Sequence, residues 1–397
     1  MSRGFELKEF LGEKQILVVE PASNYRDSFK RFLSNMKILK QIKFVTSVTE
    51  ARRELLTSEV GLFIVEWKLA DKNGLQFCKE LKSDAIYRKI PFLLVSTENL
   101  RQDVMLAGDV GCDGYLLKPF SFEEFKSQVM SIIRTIQSPS PANVLANDGF
   151  HLLSEQKYDE AKAAFDEALI ENPESARAIA GLGRIHLAKK EAVQSLPLFT
   201  KAIRLKPEFL DGYKGMLEAY TMLNDQHGIL ETAKILHEIN PDNPSYTLLI
   251  ARQLIENNDL DGSEKYFRLS IRLSPKLAEA YKGLGHVMFL KEEYDEAMKN
   301  FEKALDIDAR DISVVNYLGM ALVKKGKYDD GIHKYRMALK LDPFDARVLF
   351  NLGYAFEKKV VLDQALHFYE QALLYKADFE KAKRGSERIR EMIAAKT

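Results

Sequence analysis

"KYDEAKAAFDEALIENPES" (residues 157–175) returns as "EYDEAMKNFEKALDIDARD" (293–311) and again as "KYDDGIHKYRMALKLDPFD" (327–345). The three copies fix a register for everything around them. Aligned to it, the chain gives unit starts at Ala142, Ala176, Leu210, Pro244, Ala278, Ile312 and Ala346, each 34 residues after the last and without an insertion. Seven units therefore fill 142–379. A strict period of this size is the mark of a supersecondary unit that buries its apolar face only by stacking on its neighbours.

Residue size follows the same period. Gly149, Gly183, Gly285, Gly319 and Gly353 share one position, and Ala161, Ser195, Ser263, Ala297, Gly331 and Ala365 share another. Ala168, Ala202, Ala304, Ala338 and Ala372 hold a third. Phe165, Phe199, Phe267, Phe301, Tyr335 and Tyr369 supply the large partners. Pro173, Pro207, Pro241, Pro275 and Pro343 close the second helix of a pair, because proline cannot continue it. The pattern resembles the tetratricopeptide repeat across all of 142–379. The third and fourth units depart most: Leu217 and Ala251 replace the glycine, while Ile229 and Ala233 take the small and aromatic places. The last stretch, "EKAKRGSERIREMIAAKT" (380–397), puts Ala382, Ile389, Met392 and Ile393 on a helical stripe and reads as a capping helix.

The resemblance implies a protein-binding solenoid with the first helix of each pair on its concave face, long enough for an extended peptide or a partner helix. The expected groove residues are Phe150, Arg177, Arg184, Lys214, Arg252, Lys282, His286, Phe289, Met320, Phe350 and Tyr354. Basic side chains in its middle and aromatics in the later units would suit a partner with an acidic stretch and apolar anchors, against the plainer reading of a solvated face countered by Asp211, Glu218 and Glu279. Ala146 and Gly181 stand where a carboxylate clamp would need polar residues, so that mode is not expected. Asn147 and Asn351 read as isolated rather than as a ladder.

Before "SPSPAN" (138–143) the periodicity differs. Short apolar runs, "QILVVE" (15–20), "IKFVTS" (42–47), "GLFIVE" (61–66), "PFLLVS" (91–96) and "GYLLKP" (114–119), alternate with helical patterns at Tyr25–Ser34, Thr49–Thr57, Gly74–Ser83, Arg101–Val110 and Phe122–Ile136. Several runs are continuous rather than alternating, as in strands covered on both faces. The expectation is a parallel sheet domain over 1–137, a linker at 138–141, seven helix pairs over 142–379 and the cap. "ILVVEPASNYR", "FIVEWKLADKNGLQF", "PFLLVST" and "GCDGYLLKPF" resemble the receiver domain of two-component response regulators between Gln15 and Gln137. The fold class is thus α/β plus all-α: a flavodoxin-like (βα)5 receiver with its site at the carboxyl ends of the strands, followed by an α-solenoid.

What the receiver resemblance implies for chemistry is mixed. Family members hold magnesium with two acids after the first strand; here those places are Glu20 and Pro21, and proline offers no side-chain oxygen. The phospho-acceptor aspartate corresponds to Glu66, whose carboxylate lies one methylene further out, ~1.5 Å, enough to spoil in-line attack. The hydroxyl and lysine correspond to Ser96 and Lys118, and the switching aromatic to Tyr115. The resemblance implies a pseudo-receiver with no metal and no cofactor. Glu66 then acts either as a built-in phosphate mimic or as a plain buried pair with Lys118. Receivers pair through the last part of their fold, here about 100–137, so homodimerisation through that face is a further expectation.

Composition limits the alternatives. The chain has 397 residues, with 58 Lys+Arg against 58 Asp+Glu, which argues against a dedicated nucleic-acid binder. Cys78 and Cys112 form no CxxC pair, the N-terminus is polar, and no apolar run nears the ~20 residues of a membrane span. A cytoplasmic protein is expected. The seven histidines are scattered singly, His186 at a packing position, and no phosphate-loop or nucleophile-elbow string occurs. The reading is a non-enzymatic bacterial signalling adaptor that binds a protein through its repeats. The alternatives are a phosphorelay response regulator whose repeats are the switched output, and a competitor that sequesters a histidine kinase.

Overall fold

Every apolar run of the first half becomes a strand of one sheet in the computed structural model, which describes residues 7–38, 40–97 and 101–395. Positions 1–6 of the expected polar N-terminus, Leu100 at the start of the expected pairing face, and 396–397 of the expected cap lie outside the described residues. The strands are β1 (Gln15–Val19), β2 (Ile42–Val45), β3 (Val60–Glu66), β4 (Phe92–Ser96) and β5 (Gly114–Leu117). All pairings are parallel, in the order β2-β1-β3-β4-β5. The pleat sends Ile16, Val18, Leu62, Ile64, Leu93 and Val95 into one core and Leu17, Val19, Phe63, Val65, Phe92 and Leu94 into the other. Both faces are therefore covered, which is why the runs are continuously apolar.

The covering helices are α1 (Leu7–Leu11), α2 (Ser23–Asn35), α3 (Val48–Glu54), α4 (Gly74–Ser83), α5 (Arg101–Asp109) and α6 (Phe122–Gln137). Local chemistry sets their starts. Asn73 caps α4 by accepting from the Leu75 N–H at 2.7 Å, and Ser121 with Glu124 forms a reciprocal capping box on α6. Sequence reading missed α1, a single turn whose Leu7 and Leu11 are buried beside α6; two leucines in a polar stretch carry too weak a periodicity. Helix α3 stops at Glu54, short of the expected Thr57.

The described residues fall into two compact units that divide between Asn240 and Pro241. The first holds the sheet domain and α7 (Pro141–Ser154), α8 (Tyr158–Glu171), α9 (Ala176–Ala188), α10 (Ala192–Leu205), α11 (Leu210–Leu223) and α12 (Gln226–Ile239). Ser140 caps α7 and Pro141 is its first residue, so the helix takes in the last residue of the expected linker. The second unit holds α13 (Pro244–Glu256), α14 (Leu260–Leu273), α15 (Ala278–Leu290), α16 (Tyr294–Ile307), α17 (Ile312–Lys324), α18 (Tyr328–Leu341), α19 (Ala346–Lys358), α20 (Leu362–Tyr375) and α21 (Glu380–Ala394). In α21, Ala382 and Ile389 are buried while Met392 turns outward.

The 34-residue period is visible in the backbone itself. Gln156, Lys190, Asn224, Asn258, Glu292, Gly326 and Val360 each sit in the left-handed region, between φ 54° and 78°, where the first helix of a pair turns into the second. Packing between the helices is equally regular. A Cβ on Gly319 would lie 2.6 Å from the buried Tyr335 ring, so the absence of a side chain lets that ring fit. The third repeat makes the opposite exchange: Leu217 is half-buried where a glycine is usual, and the fully buried Ala233 stands for the aromatic. Lysine–aspartate pairs rung the turns at the same period: Lys291–Asp261, Lys325–Asp295 and Lys359–Asp329 in the second unit, and Lys189–Asp159 in the first.

Candidate functional site

Glu20, Glu66, Ser96 and Lys118 are brought together because β1, β3, β4 and β5 all end at one edge of the sheet. The Lys118 N–H bonds the Ser96 carbonyl at 2.7 Å, which sets the lysine beside Glu66. Its ammonium donates to Glu20 Oε2 at 2.5 Å and to Glu66 Oε2. The other carboxylate oxygens are also used: Glu20 Oε1 accepts the Ala22 N–H at 3.0 Å, and Glu66 Oε1 the Lys68 N–H at 3.1 Å. All four residues are buried, so the ammonium held between two carboxylates keeps each charge partnered. Among the described residues no cluster of three or more His, Cys, Asp or Glu is arranged to hold a metal ion.

Two aromatics that sequence reading missed complete the edge. The Tyr25 ring lies 4.0 Å from Lys118 Nζ, and Trp67, directly after Glu66, meets Tyr115 edge-on at 6.3 Å. Tyr115, the expected switch residue, is half-buried and linked through Trp67 to the backbone of the glutamate. Both signals were in the sequence as aromatics beside site positions, but nothing in the spacing said which way the rings point.

The groove residues do not form a free basic face. Arg184 pairs with Asp211 at 2.6 Å and Glu218 at 2.7 Å, Lys282 with Asp311 at 2.9 Å, and Arg252 with Glu279. Each acid lies on the next repeat or at its cap, 27 to 34 residues on, so the charges stitch neighbouring repeats together. Arg177 stacks 4.9 Å over Phe150, where burial pulls its guanidinium below the ordinary value, partly opposed by Asp211. The expected aromatic anchors are half-buried in their own repeats: Phe150 on Phe165, Phe289 on Tyr294, Phe350 on Tyr369 and Phe379. His286 lies against Tyr317, Met320 beside the Asn316 amide, and Tyr354 under Lys358. Asn351 is not isolated: it donates to Asn316 Oδ1 at 2.9 Å, across a 35-residue step that a 34-residue register hides.

Lys214 departs furthest from its expected place. It bonds Asp109, the last residue of α5, at 2.5 Å. Helix α5 packs against α11 and α12, so the sheet domain rests on the third repeat. The face expected to pair two receivers thus includes a helix already engaged within the chain. Beside this contact a groove of about 1380 Å³ runs between the two domains, with Val104, Cys112 and Tyr115 on one wall and Asn147, Arg177 and Asp211 on the other.

The response regulator receiver domain family matches residues 16–130, and three tetratricopeptide repeat families match 151–208, 278–311 and 319–360. The chain joins a receiver domain to tetratricopeptide repeats. Its receiver is 25% identical over 121 residues to the chemotaxis protein CheY1 of Helicobacter pylori, covering 30% of this chain and 98% of that protein. It is 29% identical over 91 residues to the phosphate regulon transcriptional regulatory protein PhoB of Escherichia coli, covering 23% of this chain and 40% of that protein. A solved tetratricopeptide repeat protein from Parabacteroides merdae overlays 63% of this chain and 98% of its own at 15% identity, with a TM-score of 0.47. Glu66, at the end of the third strand of this receiver, has its carboxylate bonded to the Lys118 ammonium. Among the described residues no helix is long and apolar enough to cross a membrane.

Proposed function

We propose that the chain is a non-enzymatic, cytoplasmic signalling adaptor, in which the repeats bind a protein partner and the receiver is a pseudo-receiver that does not accept phosphate. The observation that carries this reading is the Glu66–Lys118–Glu20 chain. A receiver working by phosphotransfer needs a short carboxylate free to attack and a second metal ligand beside it. Here the acceptor is a glutamate already bonded to the site's lysine, and Pro21 replaces the second ligand. Incubation with a small acyl phosphate and magnesium, read by intact mass, tests it: an unchanged mass is expected, and a phosphorylated receiver overturns the reading. Capture from native lysate with the full chain, followed by mass spectrometry, would name the partner.

The second reading, repeats as the output of a switched receiver, is favoured by one contact. Helix α5 rests on α11 and α12 through Asp109–Lys214, which is a physical route from receiver to repeats. The paired groove cations give no support to a partner chosen for its acidity alone.

A further inference from the structure

Cys78 and Cys112 lie 34 residues apart and share no sequence motif, yet the fold brings their sulfurs to 2.9 Å. Cys78 is buried on α4 among Phe77, Leu81 and Phe92. Cys112 is half-buried in the turn between α5 and β5 and lines the groove between receiver and repeats. The turn is held by local bonds. Gly111, at φ 85°, closes α5, and the Cys112 N–H bonds back to the Ala107 carbonyl at 2.9 Å. Two thiols are therefore held face to face by separate elements, one shielded and one reachable. The distance left to close is under about 1 Å, since a disulfide bond is about 2.05 Å long.

We propose that Cys78 and Cys112 are a reversible thiol–disulfide pair, a modification site whose oxidation ties α4 to the end of α5. The step takes two electrons and two protons from the thiols and forms one S–S bond. A peroxide accepts them, its O–O bond breaking to give two waters; a small thiol reverses the step by exchange through a mixed disulfide. Cys112 is the sulfur that meets the oxidant. Its thiol is pushed up by the hydrogen bond with Cys78 and by burial, so thiolate is scarce at neutral pH and oxidation is slow there and faster as pH rises. The bond would sit three residues from Asp109, so the receiver–repeat contact at α5 is the first place to respond.

The full-length chain, treated with hydrogen peroxide, blocked with N-ethylmaleimide and digested without reductant, tests this. The expected result is one cross-linked peptide pair carrying Cys78 and Cys112, an intact mass lower by two hydrogens, and full reversal by dithiothreitol. Hydrogen exchange of α5 and α11 is expected to slow in the oxidised form. Cys112→Ser should abolish the cross-link and leave Cys78 slow to alkylate, which separates the pair from nonspecific oxidation. Sulfinic acid on Cys112 with Cys78 still free, disulfides only between chains, or two unmodified thiols after prolonged oxidant would each overturn the proposal.

Discussion

Asp109, at the end of receiver helix α5, is bonded to Lys214 on the first helix of the third repeat at 2.5 Å, and both side chains are part-exposed. A pair of this exposure is worth about 0.5–1 kcal/mol and is screened by salt. Its position matters more than its strength, because it lies where α5 packs against α11 and α12. Asp109→Lys should speed hydrogen exchange in α5 and α11 while leaving the repeats of the second unit unchanged. The exchanged pair, Asp109→Lys with Lys214→Asp, should recover most of the protection. A double variant no better than the single one would show that the ion pair does not hold this contact.

The buried site makes a sharper prediction. Lys118 is the ammonium that bonds two carboxylates with little access to water. Removing one member of a buried charged set leaves the others uncompensated, at about 3–5 kcal/mol. Lys118→Met should therefore destabilise the receiver more than Glu66→Gln, which keeps a hydrogen-bonding oxygen and leaves Glu20 on the ammonium. Urea unfolding of the three proteins, followed by Trp67 fluorescence, gives the order directly. If Glu66→Gln were the most damaging, the glutamate would be doing more than balancing the lysine.

How far the sequence carried the fold is clearest at these two places. The strand ends were legible because continuous apolar runs stop at Glu20, Glu66, Ser96 and Lys118, and the parallel sheet brings those ends to one edge. The repeat register was legible because glycine and aromatic residues alternate in size at a fixed period. Pairing was not. Asp211 and Glu218 were legible as countering charges, but only the fold shows that both meet Arg184, that Lys282 meets Asp311, and that the receiver supplies the acid for Lys214. The Cys78–Cys112 contact was hidden for the same reason: it joins elements that no local spacing relates.

The left-handed turn position gives a prediction about stability. Six repeats place Gln, Lys, Asn, Asn, Glu or Gly there, whereas the last places Val360 at φ 61°. A β-branched side chain is the worst fit for that region, at about 1–2 kcal/mol. Val360 is 60% exposed, so replacing it gives up little burial. Val360→Asn, which copies Asn224 and Asn258, should raise the stability of the second unit by about 1 kcal/mol. Chemical denaturation of the full chain, with hydrogen exchange in α19 and α20, checks it; no gain would mean that the valine makes a contact that offsets its strain.

Burial sets an acid-sensitive window in the repeats. The His286 imidazole, packed against Tyr317, is held below its ordinary value of 6.5 by burial, with Glu256 partly opposing. The folded state therefore takes up its proton at lower pH than the unfolded chain does. Stability from this group is full above about pH 6.5 and declines as pH falls toward the folded value. Burial lowers His237 in the first unit in the same direction. Asp311 acts elsewhere: burial pushes its carboxyl up, but hydrogen bonds from Ser313 and the charge of Lys282 hold it below 3.8, so its contribution fades only in stronger acid. Thermal melts at pH 7.5 and 5.5 should show a fall in Tm for the wild type and a smaller fall for His286→Gln. An equal fall in both would mean that the second unit does not unfold through the environment of His286, and that the acid response comes from His237 or from the receiver.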